Sequence, residues 1–136
     1  MSYKNPKPTV DAFILGENSI VLVKRRNTPF EGMWALPGGF VECGETVEEA
    51  TIREAKEETG LTIEIIRLLG VYSDPKRDPR GPTVGTVFIC RRISGDLKAD
   101  TDAKEVKEFS LRDLPPLAFD HGKIVADAIK YVKSFS

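Results

Sequence analysis

Cysteine and histidine are scarce in this chain, which holds two cysteines, Cys43 and Cys90, and one histidine, His121. The cysteines follow neither a metal-binding nor a redox spacing, which argues against a zinc centre or a thioredoxin-like active site. We expect no Cys43–Cys90 disulfide, and two unpaired cysteines are typical of a reducing, cytoplasmic compartment. One histidine without a partner is weak evidence for catalysis, so we interpret His121 as a helix-capping or surface residue.

The chain also lacks any strong excess of charge and any long apolar run. Its formal net charge is −1 at pH 7, so overall electrostatics favour neither nucleic acid nor a membrane as a partner. No apolar run approaches the length of a membrane span, and the polar N-terminus lacks a signal-peptide core. The composition is that of a globular protein, with 136 residues, 40% hydrophobic and 30% charged, which we interpret as one domain over residues 1–136.

The densest chemical signal lies in residues 39–61, where Glu54, Glu57 and Glu58 are spaced at i, i+3 and i+4. On a helix these side chains share one arc of the surface, and each like-charge pair is unfavourable by roughly 0.2–0.5 kcal/mol. A divalent cation would supply the missing positive charge, since Mg²⁺ takes oxygen ligands and often combines carboxylates with substrate phosphates. The structural alternative is an amphipathic surface helix with a solvated acidic face.

Local signals at both ends of this acidic segment define a short helix. Thr46 and Glu49 have the spacing of a capping box, which predicts a helix that begins at Val47. Gly60 is the expected residue after its last turn. Upstream, the Pro-Gly-Gly sequence at 37–39 predicts a turn whose backbone can approach a ligand closely.

The whole segment, GFVECGETVEEATIREAKEETGL, resembles the Nudix box at each defined position. A pattern with this many fixed positions is far more specific than a lone glycine motif. Ala55 matches the pattern least well, because the family usually places a bulkier apolar residue there. The matching positions are Gly39, Glu45, Arg53, Glu54, Glu57, Glu58, Gly60 and Leu61.

The resemblance implies a metal site and its ligands. Glu57 and Glu58 match ligands of Mg²⁺, for which Mn²⁺ is a possible substitute. Gly38, just before the box, matches a position whose backbone carbonyl often joins them. Glu54 matches either a further metal ligand or the general base, and both assignments stay open.

The resemblance also implies how the glutamates are oriented. Arg53 matches an arginine with that catalytic role, and its spacing allows it to pair with Glu57 or Glu49 on the same helix. Glu42 and Glu45 lie nearby, where they either hold the loop or bind a further metal.

A distal catalytic glutamate is a further implied feature. Many family members carry one on a loop or strand after the box, and Glu105 is the candidate in this chain. Asp102 and Glu108 compete with it for that assignment.

Patterns outside the box predict a mixed α/β fold. A polar, proline-rich loop is expected at 73–82, and an apolar stripe predicts a final helix at about 120–135. Strands are predicted at 9–15, 19–24, 34–36, 61–72, 83–93 and 105–110, the first two as a hairpin. The resemblance then implies an α/β/α sandwich around a mixed sheet, with the box as a loop–helix–loop motif.

Candidate substrate contacts lie before the box and at its first residue. Arg25 and Arg26 either end a strand or contact phosphate. Phe30 and Trp34 flank the loop at 27–33, where they either pack or stack on a base. Gly39 is included because glycine lets the backbone approach a ligand.

The segments WALPGGFVE, GVYSDPKRDPRGPTV and LPPLAFDHGKI together resemble the ADP-ribose pyrophosphatase branch of the Nudix family. Members of that branch carry a proline about fifteen residues beyond the box, which Pro75 matches, with Pro79 as a second match; loop stiffening is the alternative. The resemblance implies a small-molecule nucleotide substrate, ADP-ribose, which is hydrolysed to AMP and ribose 5-phosphate. Many members of the branch are homodimers, so a homodimer is expected.

Two other functions stay open at this point. The same fold and metal site would serve a nucleoside triphosphate pyrophosphohydrolase, including one that acts on oxidised dNTPs. A non-catalytic Nudix-like domain that senses a nucleotide is the third possibility, although such sensors usually lose box glutamates or carry a DNA-binding module. In either enzyme, divalent cations offset phosphate charge and lower the pKa of water while a carboxylate takes the proton.

Overall fold

Seven strands and two helices form the described part of the chain, which in this computed structural model comprises residues 5–98 and 103–133. The strands are β1 (Lys7–Leu15), β2 (Ser19–Arg25), β3 (Trp34–Ala35), β4 (Gly38–Phe40), β5 (Thr62–Tyr72), β6 (Thr83–Ser94) and β7 (Ala103–Ser110). The helices are α1 (Val47–Thr59) and α2 (His121–Lys133). The mixed α/β class is confirmed, and the predicted strands lie close to their expected bounds.

One mixed sheet joins all seven strands in the order β3-β2-β1-β6-β5, with β4 paired to β1 and β7 to β2. β1 and β6 run parallel, and the other pairs run antiparallel. The β1–β2 hairpin is paired where Leu15 faces Ile20, and beyond that point β2 takes β3 as its neighbour while β1 takes β4. The two hairpin strands therefore separate, and the cavity described below lies beside this split.

The Pro-Gly-Gly segment corrects one prediction, because it is not a simple turn. Its two glycines open β4 and pair with Asp11 and Val10 of β1. A Cβ atom on Gly38 would collide with the Val10 carbonyl oxygen. A Cβ atom on Gly39 would lie 2.7 Å from the carboxylate of Glu54. Glycine is needed at both positions because any side chain would hold the strand away from β1 and α1.

Apolar side chains pack on both faces of the sheet, with one helix on each face. Phe13 and Leu22 belong to the core cluster that includes Ile124 of α2. Ile14 belongs to the second cluster, which includes Ala55 of α1. Neighbouring residues of β1 thus point to opposite faces, as expected of a strand. This layering confirms the α/β/α sandwich.

The predicted ends of α1 are confirmed by the capping interactions. The Thr46 side chain accepts the Glu49 N–H at 3.0 Å, and the Glu49 carboxylate accepts the Thr46 N–H at 2.8 Å. Gly60 follows the last turn with a φ of 81°, a left-handed conformation that favours glycine. These local contacts fix the position at which the glutamates of α1 meet the sheet.

α2 follows the predicted terminal helix up to Lys133, and the predicted residues 134–135 lie outside the described ranges. Its buried side chains include Ile124, Val125 and Ala128, which belong to the predicted apolar stripe. Both cysteines are free, as expected. Within residues 5–98 and 103–133, no helix has the length and apolar composition needed to cross a membrane.

Candidate active site

A cavity of about 520 Å³ opens beside the split between β1 and β2. It is bounded by β1, the end of β2, β4, α1 and the loops that precede β6 and α2. The predicted site residues that line it are Arg25, Arg26, Gly38, Gly39, Glu42, Glu54 and Glu58. The fold therefore brings carboxylates of the box and arginines from outside it to a single cavity.

The acidic wall of the cavity comes from α1. The Gly38 N–H donates to Glu58 Oε1 at 2.9 Å, and Gly39 lies directly against the Glu54 carboxylate. Burial raises the pKa of Glu58 well above its usual value, Gly38 opposes this shift, and the charge of Glu54 adds to it. Burial likewise raises the pKa of Glu54, although Arg53 acts against the shift. Two carboxylates that are withdrawn from water and repel each other call for added positive charge.

Arg53 supplies part of that charge and ties the box loop to α1. Its guanidinium donates to both carboxylate oxygens of Glu45, at 2.7 and 3.0 Å, and to Glu54 at 2.8 Å. It also donates to Glu57 at 3.1 Å and to the Phe40 carbonyl at 3.1 Å. The hydrogen bonds from Arg53 and then the one from the Glu42 N–H lower the pKa of Glu45 to about 2. Of its two expected helix partners, Arg53 bonds Glu57, because the other glutamate is used by the capping box.

The donor atoms fit a divalent cation, although they do not form a closed cage. In the described part of the chain, no three carboxylate, histidine or cysteine groups converge as a preformed metal site. Glu54 and Glu58 nevertheless present hard carboxylate oxygens to one cavity, as Mg²⁺ and Mn²⁺ require. Glu57 is 49% exposed and bonded to Arg53, so it stands beside this pair of carboxylates and does not line the cavity.

Basic side chains face the acidic wall from the end of β2. Arg25 donates to the carbonyl oxygens of Pro29 and Asn27, at 2.7 and 3.5 Å. Among the described residues, no carboxylate lies within ion-pair distance of Arg25. Burial and then the nearby Arg80 lower the pKa of Arg25. A guanidinium in this setting is suited to binding an anion.

A buried polar network forms the floor of the cavity. Asp11 is 7% exposed, although it lies within an apolar stretch of β1. Arg77, from the loop before β6, approaches it to 4.0 Å and donates to both carboxylate oxygens of Asp120, at 2.8 and 2.9 Å. Arg77 also donates to Thr83 Oγ1 at 2.7 Å, and Gly85 leaves the space that its guanidinium fills. The network ties the loop at 73–82 to β1 and to the start of α2.

The position of His121 corrects the prediction of a capping or surface residue. The side chain is buried, and its Nδ1 accepts the Leu36 N–H at 3.0 Å. Burial lowers the pKa of His121 to about 4, so the ring is neutral at pH 7. Its Nε2 lies 3.6 Å from Asp11 Oδ1. The Ala118 N–H donates to the Trp34 carbonyl, which docks the start of α2 against β3 and encloses the ring.

The two aromatic residues predicted as possible base contacts, Trp34 and Phe30, do not line the cavity. Trp34 packs edge-on against Phe109 with ring centroids 4.8 Å apart. Phe30 packs edge-on against Phe119 at 4.8 Å, and Phe119 lines the cavity. Pro75 lies in the loop at 73–82 and does not line the cavity.

The two described candidates for the distal glutamate, Glu105 and Glu108, do not line the cavity. Glu105 is on β7, where it pairs with Lys24 at 3.4 Å, and its side chain is 58% exposed. Glu108, also on β7, pairs with Arg92 at 3.5 Å. Asp102 lies outside the described residues.

Several lining residues were not predicted from the sequence. The charged and aromatic ones include Asp11, Phe40, Asp78, Arg80 and Phe119. Asp11 did carry a signal, because a carboxylate inside an apolar strand must be paired when it is buried. Asp78 and Arg80 belong to the charged loop at 73–82, whereas Phe119 had no local signal that separated it from core residues.

Comparison with known proteins gives a consistent picture. A family model described as the NUDIX domain matches residues 5–128. The chain is 57% identical over 129 residues to an ADP-ribose pyrophosphatase of Methanocaldococcus jannaschii, which covers 95% of this chain and 76% of that protein.

Two solved structures are similar over nearly the whole chain. The NUDIX domain of Shewanella oneidensis NrtR, complexed with ADP ribose, has a TM-score of 0.83 at 31% identity. The match covers 96% of this chain and 90% of the NrtR chain. A bifunctional NMN adenylyltransferase/ADP ribose pyrophosphatase of Francisella tularensis, complexed with AMP and a manganese ion, has a TM-score of 0.86 at 32% identity. That match covers 96% of this chain but 43% of the longer bifunctional protein.

Proposed function

The chain belongs to the NUDIX family, and we propose that it hydrolyses ADP-ribose to AMP and ribose 5-phosphate. One observation carries the proposal: the half-buried carboxylates Glu54 and Glu58 line the same cavity as Arg25. Such a site suits a diphosphate, which brings negative charge to the arginine and needs a cation beside the glutamates. The identity of 57% to an ADP-ribose pyrophosphatase supports ADP-ribose as the substrate.

Mg²⁺ is the proposed metal, with Mn²⁺ as a substitute. Glu54, Glu57, Glu58 and the backbone carbonyl of Gly38 are its proposed ligands. When bound, a divalent cation neutralises phosphate charge and lowers the pKa of water. Glu57 accepts a hydrogen bond from Arg53, so its ligation requires that it exchange this partner.

The remaining roles fall to side chains of the cavity. Glu54 accepts the proton of the attacking water, whose oxygen bonds to one phosphorus while the bridging phosphorus–oxygen bond breaks. Arg25 stabilises the negative charge on the phosphate oxygens, and Arg53 orients Glu54 through its 2.8 Å hydrogen bond. Glu54 is favoured over Glu105 as the base because Glu54 lines the cavity and Glu105 does not.

The first test measures turnover of ADP-ribose with and without Mg²⁺ and identifies the products. We expect AMP and ribose 5-phosphate, and we expect Glu58→Gln to lower kcat by about 10²-fold or more because it removes charge beside the diphosphate. Glu64→Gln is the matched control, since Glu64 pairs with Arg91 on the exposed side of β5 and β6. In ¹⁸O-labelled water, the label marks the phosphorus that is attacked.

The outcomes separate the possible functions. A preference for a nucleoside triphosphate would retain the acidic wall but refute ADP-ribose as the substrate. Nucleotide binding without metal-dependent turnover would refute hydrolysis and favour a sensor. Equal activity of the Glu58→Gln and Glu64→Gln variants would refute the proposed metal ligands.

We also propose that the chain forms a homodimer through the outer strand of its sheet. β5 is an edge strand of the sheet, and large apolar side chains are exposed on β5 and β6. They are Ile66, Leu68, Val71 and Ile93, each at least 50% exposed. Pairing such edges between two copies would bury them. Light scattering should give twice the mass of the chain, and Leu68→Lys should give a monomer; a monomeric wild type contradicts the proposal.

A cytoplasmic location is proposed on the state of the cysteines. Cys43 is exposed and free, and an exposed thiol is best preserved in a reducing compartment. Burial raises the pKa of Cys90 to about 12, which makes it unreactive. Cell fractionation tests the proposal, and recovery of the native protein outside the cytoplasm would refute it.

A further inference from the structure

Arg80 spans the mouth of the cavity between two aromatic rings. Its guanidinium carbon lies 5.4 Å from the centroid of Phe40 and 5.6 Å from that of Phe119. All three residues line the cavity, and Phe40 directly follows the glycine that lies against Glu54. The rings and the planar guanidinium are therefore next to the carboxylates of the proposed diphosphate site.

A buried carboxylate holds Arg80 in this position. Asp78 is 6% exposed, and its oxygens accept from Arg80 Nε at 3.1 Å and from Arg80 Nη2 at 2.8 Å. The Arg80 backbone N–H also donates to Asp78 Oδ1 at 2.9 Å. The Arg80 side chain is itself 45% exposed. The loop thus fixes one edge of the guanidinium and leaves the rest accessible from the cavity mouth.

Phe119 is held as firmly as Arg80. It adopts a φ of 53°, which is unusual for a residue with a side chain. Hydrogen bonds on both sides fix the segment, from the Ala118 N–H to the Trp34 carbonyl and from the His121 N–H to the Ala118 carbonyl. Phe30 packs edge-on against the ring. A strained backbone that its surroundings hold in place is typical of ligand-binding positions.

We propose that Arg80, Phe119 and Phe40 bind the planar base of the nucleotide, with Asp78 as the residue that positions Arg80. The inference rests on the proposed function, because it assigns the nucleotide half of that substrate. A flat heteroaromatic ring can stack through its π face on the guanidinium and on a phenyl face, whereas a phosphate has no π face to stack. The role in base stacking considered for Phe30 and Trp34 thereby passes to rings that line the cavity.

Equilibrium binding of AMP and of inorganic pyrophosphate to the full chain tests the assignment. AMP carries the base, whereas pyrophosphate carries phosphate alone. Arg80→Ala should weaken AMP binding by about tenfold or more and change pyrophosphate binding by less than about twofold. Arg91→Ala removes a comparable arginine from an exposed ion pair far from the cavity and should change neither.

Three results would overturn the proposal. In the first, Arg80→Ala weakens the binding of AMP and of pyrophosphate equally, which would make Arg80 a phosphate contact. In the second, Arg80→Ala leaves AMP binding unchanged. In the third, the wild type binds pyrophosphate but not AMP. Binding of AMP that depends on Arg80, in a chain that does not hydrolyse ADP-ribose, would support this inference and refute the proposed function. The two failures are therefore distinguishable.

Variants of the neighbouring residues separate a ligand contact from a structural role. Asp78→Asn keeps the side-chain volume but weakens the hold on Arg80, so the KM for ADP-ribose should rise with little change in kcat. Phe119→Leu should raise the KM in the same way. Phe119→Tyr should leave the KM close to that of the wild type because the ring is retained. A fall in kcat and in the thermal midpoint without a change in KM would show that these residues only stabilise the fold.

Discussion

Replacing His121 with asparagine should remove a loss of stability that the wild-type chain undergoes when the pH falls from about 7.5 to about 5. The wild-type ring is 5% exposed and accepts the Leu36 N–H through Nδ1. Asparagine can place an acceptor oxygen near that nitrogen, but it does not titrate. The substitution therefore retains the hydrogen bond while it removes the protonation equilibrium.

The sign and size of the effect follow from the pKa of His121 in the two states. The folded value is about 4 and the ordinary value is 6.5, so between them the unfolded chain binds a proton that the folded chain does not. The free energy of unfolding therefore decreases as the pH is lowered. The loss is roughly 2 kcal/mol at pH 5 and roughly 3 kcal/mol below pH 4. The charged groups that act on the ring are Asp11, Asp120, Arg77 and Arg25, and they are present in both variants.

Urea unfolding over a series of pH values measures this effect as the difference between wild type and His121→Asn. Relative to the variant, the wild type should lose roughly 2 kcal/mol of its free energy of unfolding between about pH 7.5 and pH 5. The difference is needed because burial raises the pKa of Asp11. In both variants, Asp11 therefore makes the free energy of unfolding change with pH in the direction opposite to the effect of His121. Parallel pH profiles would refute the buried, neutral histidine.

Two further substitutions test other parts of the site. Arg53→Lys should lower kcat by about tenfold or more in steady-state assays, because an ammonium cannot reproduce the paired bonds to Glu45 together with the one to Glu54; unchanged kcat would contradict its orienting role. Gly85→Ala should lower the free energy of unfolding by about 1–3 kcal/mol, because its Cβ would lie 2.9 Å from Arg77 Nη1. Gly122→Ala, which meets no atom within 4 Å, is the control in the same denaturation assay, and equal effects would refute the packing argument.

The parts of the fold that could be predicted are those with a local cause. The ends of α1 follow from Thr46, Glu49 and Gly60, all of which act within one turn of the helix. The strand predicted at 9–15 likewise corresponds to β1. β4 was missed because its conformation depends on pairing with β1, a contact between segments distant in sequence. His121 was misjudged for the same reason, since the atom that it binds belongs to Leu36.

This division between local and distant causes also explains why the reaction is easier to predict than the substrate. Glu54 and Glu58 come from one helix, so their spacing alone places them on one wall of the cavity. The opposite rim is assembled from Arg80 and Phe119, which lie in different loops and meet because Arg77 bonds Asp120. A chain can therefore keep its acidic wall while changes in those loops alter the group that it binds. Specificity in this protein should follow the Arg77–Asp120 link and the residues it positions, and Pro75, which lies outside the cavity lining, should matter less.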